Sequence, residues 1–408
     1  MRGGAALNAY RAVLATPGAR PFVTAAFIGR LPLPMLTLGT IVLVQVSSGS
    51  YGLAGAVSAV LTLSFAAAAP VAGRLADRLG QARVLLASLA VHLAGLAGLI
   101  GAALASAPPW ILFAAAAAAG AALPQLPSMV RTRWTSLLGD SPALQTAYAL
   151  ESVLDEVVYI LGPVIVITLD TEVSAAAGLA GAAVFATVGT LLFAALRGTE
   201  PVPSHLGRRG RPRVVAVPGL RVLVAAFLMV GAVFGTLEVV MVAFATEQGD
   251  RALAGPLLAT FAGGSLLAGL WYGARGWHAP VQRRFLAAIT ALAGGAFLPA
   301  AAGTVPQMAV VAIVAGFAIS PTLIGGFALT ERLLPAAVLT EGFAWLIAAI
   351  AIGYAGGSAA GGLAVDAAGA RAAFLVGGAA ALLAAGIAAL GRRWLRTGVT
   401  PAGGVAQL

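Results

Sequence analysis

Twelve stretches of this chain run for about 20 residues with almost no charge, the length a helix needs to cross the ~30 Å hydrocarbon core of a bilayer. They lie at 21–45, 52–72, 83–105, 109–130, 146–168, 174–196, 221–245, 253–273, 284–303, 308–330, 342–363 and 372–391. The runs are continuous rather than alternating, which excludes an outer-membrane β-barrel. Over 408 residues the chain is 60% hydrophobic and 9% charged, whereas soluble domains carry nearer a quarter charged. A cytosolic enzyme, a disulfide-stapled secreted domain and a disordered chain are therefore excluded. The sequence has no cysteine, which removes thiolate metal sites and cysteine nucleophiles. The fold class read from these features is an all-α membrane protein with twelve transmembrane helices.

Every basic residue other than histidine is an arginine, and the net charge is +10. The arginines are scattered in twos and threes between apolar runs, with no aromatic-rich basic domain, so nucleic acid is not an expected partner. They do have a side. With the N-terminus inside, all of the 24 but Arg30, Arg251 and Arg371 fall on inner connections. That asymmetry predicts cytoplasmic termini in a bacterial-type inner (plasma) membrane. Residues 1–20 are too polar for a signal-peptide core and read as a retained cytoplasmic segment. Trp134, Trp271, Trp277 and Trp394 fall at expected inner edges and Trp110 at an outer one. The longest polar link, 197–220, divides the chain into 1–196 and 221–408, six runs each. Two six-helix bundles joined by a basic cytoplasmic linker is the expected organisation.

Between the second and third runs stands Gly73-Arg-Leu-Ala-Asp77-Arg78-Leu-Gly80-Gln-Ala-Arg83. Glycines suit a tight reversal where helices approach, the carboxylate can cap a helix start, and the arginines face water and headgroups. This G-x-x-x-D-R-x-G spacing resembles the signature loop of the major facilitator superfamily, with Gln81 where that family usually has a basic residue. A weaker copy, Gly269-Leu-Trp-Tyr-Gly273-Ala-Arg-Gly276, follows half a chain later with Gly273 in place of the acid. Another, Gly362 to Arg371 with Asp366, lies in the last outer loop. Tyr159-Ile-Leu-Gly162-Pro163 is similar to the Gly-Pro core found in the fifth span of that superfamily's drug–proton antiporters. The resemblance implies the major facilitator fold, a fifth span forming the interface between bundles at Gly162 and Pro163, and a gate. In that gate Asp77, with Arg78 and Arg83 in the same loop, approaches the start of the eleventh span near Glu341. An Asp77 contact beside Glu341 would call for an arginine between them.

Ionisable groups within a span are costly and so mark function. Arg30 sits nine residues past Pro21, roughly 14 Å deep, with Pro32 and Pro34 just beyond it. The proline-broken helix should face a cavity rather than lipid. In the fifth span Glu151, Asp155 and Tyr159 share one face by i, i+4 spacing, with Asp155 at the same depth as Arg30. Glu156 lies about 100° round the helix. Three carboxylates so close cannot all be ionised cheaply, since like charge and desolvation favour the protonated acid and a nearby arginine the ionised one. The expectation is that Asp155 pairs with Arg30 while Glu156 or Glu151 exchanges protons. The alternative for Glu151 is a bridge to Arg131 or Arg133 at the inner edge. Glu238, the sole acid of the seventh span, is expected to bind substrate or a proton, or else to pair with Arg251. Phe27, Met35, Phe234 and Met241 are candidate apolar contacts. His92 reads as a packed polar residue, and His205 and His278 as solvated.

These readings converge on a secondary active transporter that exports small amphipathic molecules by proton antiport. The alternatives are a proton-coupled importer of an organic anion or sugar, with Arg30 as the clamp, and a non-transporting membrane sensor or scaffold. Expected partners are a small-molecule substrate, protons and the lipid bilayer, with a monomer implied by the resemblance. No Walker loop, dinucleotide fingerprint or metal-ligand spacing is present, so no cofactor, no metal and no enzymatic activity are expected.

Overall fold

A computed structural model describes residues 3–203, 213–250 and 253–396, and the elements among these residues are helices. In chain order they are α1 (Gly3–Leu14), α2 (Ala19–Arg30), α3 (Pro32–Ser48), α4 (Tyr51–Leu79), α5 (Gln81–Leu104), α6 (Pro109–Ala121), α7 (Leu126–Leu138), α8 (Ala143–Glu172), α9 (Ala177–Ala195), α10 (Pro218–Glu247), α11 (Ala254–Ala274), α12 (Val281–Gly295), α13 (Val305–Gly316), α14 (Ile319–Leu333) and α15 (Leu339–Leu390). Among the described residues, eleven helical stretches are long and apolar enough to cross a bilayer. The last of them turns back on itself at Gly369, whose φ of 78° and ψ of 170° break α15 into two arms. Two passes for that stretch give the twelve crossings of an all-α membrane protein.

Among the described residues, three crossings are divided between two successive α-helices. α2 gives way to α3 at Leu31, where Pro32 opens the new helix. α6 and α7 are separated by 122–125, with Pro127 in the first turn of α7. α13 and α14 meet at Phe317–Ala318. Proline supplies no amide donor and clashes with the preceding turn, so each break falls where the sequence places one nearby. The second interruption corrects the sequence reading of the fourth run. That crossing continues to Leu138 rather than ending near 130, which carries Arg131, Arg133 and Trp134 inward. All three are buried, so Trp134 is a core residue and not an interfacial one.

Helices pack closely because glycine and alanine line their contacts. A Cβ on Gly353 or Gly357 of α15 would collide with the Leu228 or Ala232 carbonyl oxygen of α10. Without a hydrophobic drive between helices in lipid, such backbone approach and its dispersion contacts hold the bundle together. Between the halves, α4 packs on α15 and α8 on α11.

Candidate functional site

Arg30 closes α2 at the break, and its side chain is fully buried. Its Nη1 donates to Asp155 Oδ1 at 2.7 Å. Its Nη2 lies 2.8 Å from Glu151 Oε2, an ion pair whose angle departs from hydrogen-bond geometry. Its Nε donates back to the Ala26 carbonyl at 3.1 Å. Arg131 of α7 takes the other side of Asp155, with Nη2 2.6 Å from Oδ2, and its guanidinium lies 4.1 Å from the Phe327 ring centroid. Glu151 accepts from Trp134 Nε1 at 2.7 Å. Glu151 and Asp155 share the face of α8 that meets α2 and α7. The charges therefore alternate as Glu151, Arg30, Asp155, Arg131, and formally cancel. An isolated ion would be far more costly in this low-dielectric setting than one held by opposite charge and hydrogen bonds. The bridge considered between Glu151 and Arg131 or Arg133 is replaced by the pair with Arg30, because Glu151 is buried rather than at a helix edge.

Glu156 points elsewhere. Its Oε1 accepts from Ser265 Oγ of α11 at 2.6 Å, and Ser265 shares a 2.9 Å hydrogen bond with Ser320 of α14. Glu151 and Asp155 thus face arginines of their own half, and Glu156 reaches the second half of the chain. Glu238 of α10 is exposed and accepts from the Tyr354 phenol of α15. Tyr159, 59% exposed, lies within electrostatic range of Asp155, Glu156 and Glu238. Phe27 and Phe234 are half-buried. Met35 and Met241 depart from expectation: both are fully buried in packed cores. Gly162 also departs. A Cβ there would strike Pro34 of α3, so its close approach is to its own half, with Pro163 beside it in an unbroken α8.

The arginine-rich face is closed. Asp77 at the end of α4 accepts from the Thr340 and Glu341 backbone N–H groups at 3.2 and 3.1 Å, capping the start of α15. A carboxylate there meets unsatisfied amides and the positive end of the helix dipole. Arg74, not an arginine set between the two acids, pairs with Glu341 at 2.7 Å. Thr340 Oγ1 also donates to Thr132 Oγ1 at 3.0 Å. A Cβ on Gly73 would lie 2.8 Å from the Thr340 carbonyl oxygen, so only glycine permits this approach. Gly80 turns the chain with φ 92°, while Arg78 and Arg83 are exposed. Gln81, where the motif departs from its usual residue, is buried and accepts from Arg133 Nε at 2.9 Å. Glu200 caps α5 through the Ala82 N–H at 3.0 Å. On the other seam, Thr146 Oγ1 donates to the Gly273 carbonyl at 2.8 Å, and Tyr10 of α1 donates to the Gly269 and Leu270 carbonyls at 3.0 and 3.2 Å.

Sequence reading gives no site role to Trp134, Ser265, Tyr354 or Tyr10, and offers Arg131 as a partner of Glu151 rather than of Asp155. Arg131 and Trp134 read as flanking residues, Ser265 and Tyr354 are neutral, and Tyr10 lies outside every apolar run. A polar aromatic in an apolar span was the available signal for Tyr354. His92 is buried with Nδ1 2.7 Å from the Ala119 carbonyl oxygen. His278 is exposed. Arg251 and His205 lie outside the described residues. Among the described residues no cluster of three or more potential metal ligands occurs.

The description Major Facilitator Superfamily matches residues 22–301. Among curated proteins no relative matches. Solved structures with the same fold include the human organic anion transporter MFSD10 (TETRAN), 19% identical over 91% of this chain and 99% of that one, with a TM-score of 0.72. A bacterial homologue of the iron transporter ferroportin, in the outward-facing state with soaked iron, is 15% identical over 92% and 98%, with a TM-score of 0.73. FucP in the outward conformation is 13% identical over 93% and 99%, with a TM-score of 0.70. At these identities the likeness is one of fold. With twelve crossings, a closed signature loop and a family match over well more than half its length, this chain belongs to the major facilitator superfamily.

Proposed function

We propose that this transporter exports small amphipathic molecules in exchange for protons, by alternating access between the halves 1–196 and 221–408 across the linker 197–220. The observation that carries the reading is Glu156. It reaches from one half to the other and is held by a hydroxyl, while its neighbours Glu151 and Asp155 are each met by an arginine. A carboxylate held by a neutral partner at the seam can take or lose a proton without leaving an arginine unpaired. Its protonation state then alters the contact that joins the halves. The arginine bias supports assigning the closed face to the cytoplasm, and the exposure of Glu238 and Tyr159 supports an outward-facing state.

Glu238 suits a substrate with positive charge, and Tyr159, Tyr354, Phe27 and Phe234 supply amphipathic surface around it. The anion-clamp alternative draws less support, because Arg30 is fully buried and already engaged by two carboxylates. The test uses inside-out vesicles with an acidic lumen and a pH-sensitive dye, challenged with cationic and anionic amphipathic compounds. At least one compound should discharge the gradient in the wild type and fail to do so with Glu156→Gln. Equal discharge by the variant would remove Glu156 from coupling, and energised accumulation of substrate in whole cells would replace export with import.

A further inference from the structure

The second glycine-spaced turn has no acid, and α1 sits against it. In the first turn Asp77 joins the halves through two backbone amides. In the second, Gly273 stands at the corresponding position, and a Cβ there would collide with both Ala149 of α8 and the Tyr10 hydroxyl. That hydroxyl donates to the carbonyls of Gly269 and Leu270. Tyr10 is 8% exposed and Val13, one turn on, is 2% exposed, so α1 is packed in place. Its course is fixed by a reversal at Gly18, with φ 79°, and by Arg20 Nε donating to the Leu14 carbonyl at 3.2 Å. Burial pushes the Tyr10 phenol above its ordinary range, so it remains protonated and can donate. α1 belongs to the first half by connection but bonds to α11 of the second.

We propose that Tyr10 is a latch: α1 reaches across the arginine-rich face and holds α11 against α8, in the place that a second copy of Asp77 would otherwise fill. The inference rests on the reading that the halves separate at this face. Opening then requires the phenol to leave two carbonyls and Gly273 to part from Ala149, as well as release of the Asp77 cap. Tyr10 acts on the balance between closed and open states and need not touch substrate.

The absence of native cysteine allows the test to be run on the full chain. Cysteines replacing Asp140, between α7 and α8, and His278, between α11 and α12, are exposed points on either side of the seam and would carry spin labels. Distances are measured by pulsed electron resonance in nanodiscs. Asp77→Asn serves as a reference for weakening the other seam. Tyr10→Phe keeps the ring and removes only the donor, and should raise the long-distance to short-distance ratio by about fivefold, the loss of roughly one net hydrogen bond. Tyr10→Ala should raise it further. If Asp77→Asn opens the face while neither Tyr10 variant changes the distribution, the latch is wrong and the transport reading survives. If no variant opens the face, both the latch and separation at this face are wrong. If the Tyr10 variants open it but the vesicles move no protons, the latch stands and the coupling assignment falls.

Discussion

Removing the guanidinium of Arg30 should destabilise the protein more than any other single change in the charge cluster. Arg30→Met leaves Glu151 and Asp155 facing Arg131 alone, so a neutral group of four becomes a buried group of three carrying one uncompensated negative charge. Breaking a buried pair by deleting one partner costs about 3–5 kcal/mol, read as a fall on the order of 10 °C in the thermal midpoint in mild detergent. Arg30→Lys keeps the charge but not the fork that serves both acids at 2.7 and 2.8 Å. It should lose one charge-assisted bond, about 1.5–3 kcal/mol. The decisive variant is Arg30→Met with Glu151→Gln. That pair leaves Asp155 and Arg131 together at 2.6 Å with no net charge, so it should be more stable than Arg30→Met by up to about 3 kcal/mol. Thermal unfolding of the wild type, Arg30→Met, Glu151→Gln and the double variant gives the coupling directly. If the double variant is as unstable as the two single losses added together, Glu151 and Arg30 are not energetically linked, and the reasoning from the alternating charges fails.

Two further outcomes follow from single contacts. Gly73→Val would place a Cβ 2.8 Å from the Thr340 oxygen and 2.9 Å from Glu341 Cα; backbone cannot yield there, so the arginine-rich face should stay open, and a spin-label pair spanning α4 and α15 that still reports the closed distance would contradict this. Trp134→Phe keeps an aromatic ring beside Phe22, whose centroid lies 4.8 Å away, but deprives Glu151 of its indole donor; a loss of about 1.5–3 kcal/mol is expected, and unchanged thermal stability would count against it.

What the sequence could tell depended on whether a residue's depth or its neighbour carried the information. Counting 1.5 Å per residue put Arg30 and Asp155 level in the bilayer, and their side chains touch. The same helical geometry turned Glu156 away from that stripe, and it meets a different helix. Arg131 escaped because an arginine at the end of an apolar run looks interfacial. Only the restart of the helix after Pro124, which carries the crossing to Leu138, draws it inward. Gly162 escaped for another reason. Glycine marks a close approach without saying to what, and here the partner is Pro34 rather than the opposite half. Met35 and Met241 are packed into core clusters, and which face of a uniformly apolar helix turns inward is decided by packing that composition does not encode.

The two glycine-spaced turns show how equal spacing can carry unequal chemistry. On the α4–α15 seam the acid is useful because the partner presents a helix start with free amides and a favourable dipole. On the α11–α8 seam the groups presented to Tyr10 and Thr146 are the carbonyls of the last turns of α11. A carboxylate placed among those oxygens would meet acceptors and the negative end of the dipole, and would repel them. Hydroxyl donors satisfy carbonyls without adding charge. The absence of an acid at Gly273 and the presence of Tyr10 and Thr146 therefore fit one another: the Asp77 carboxylate meets the amides of a helix start on one seam, and hydroxyls meet carbonyls near a helix end on the other.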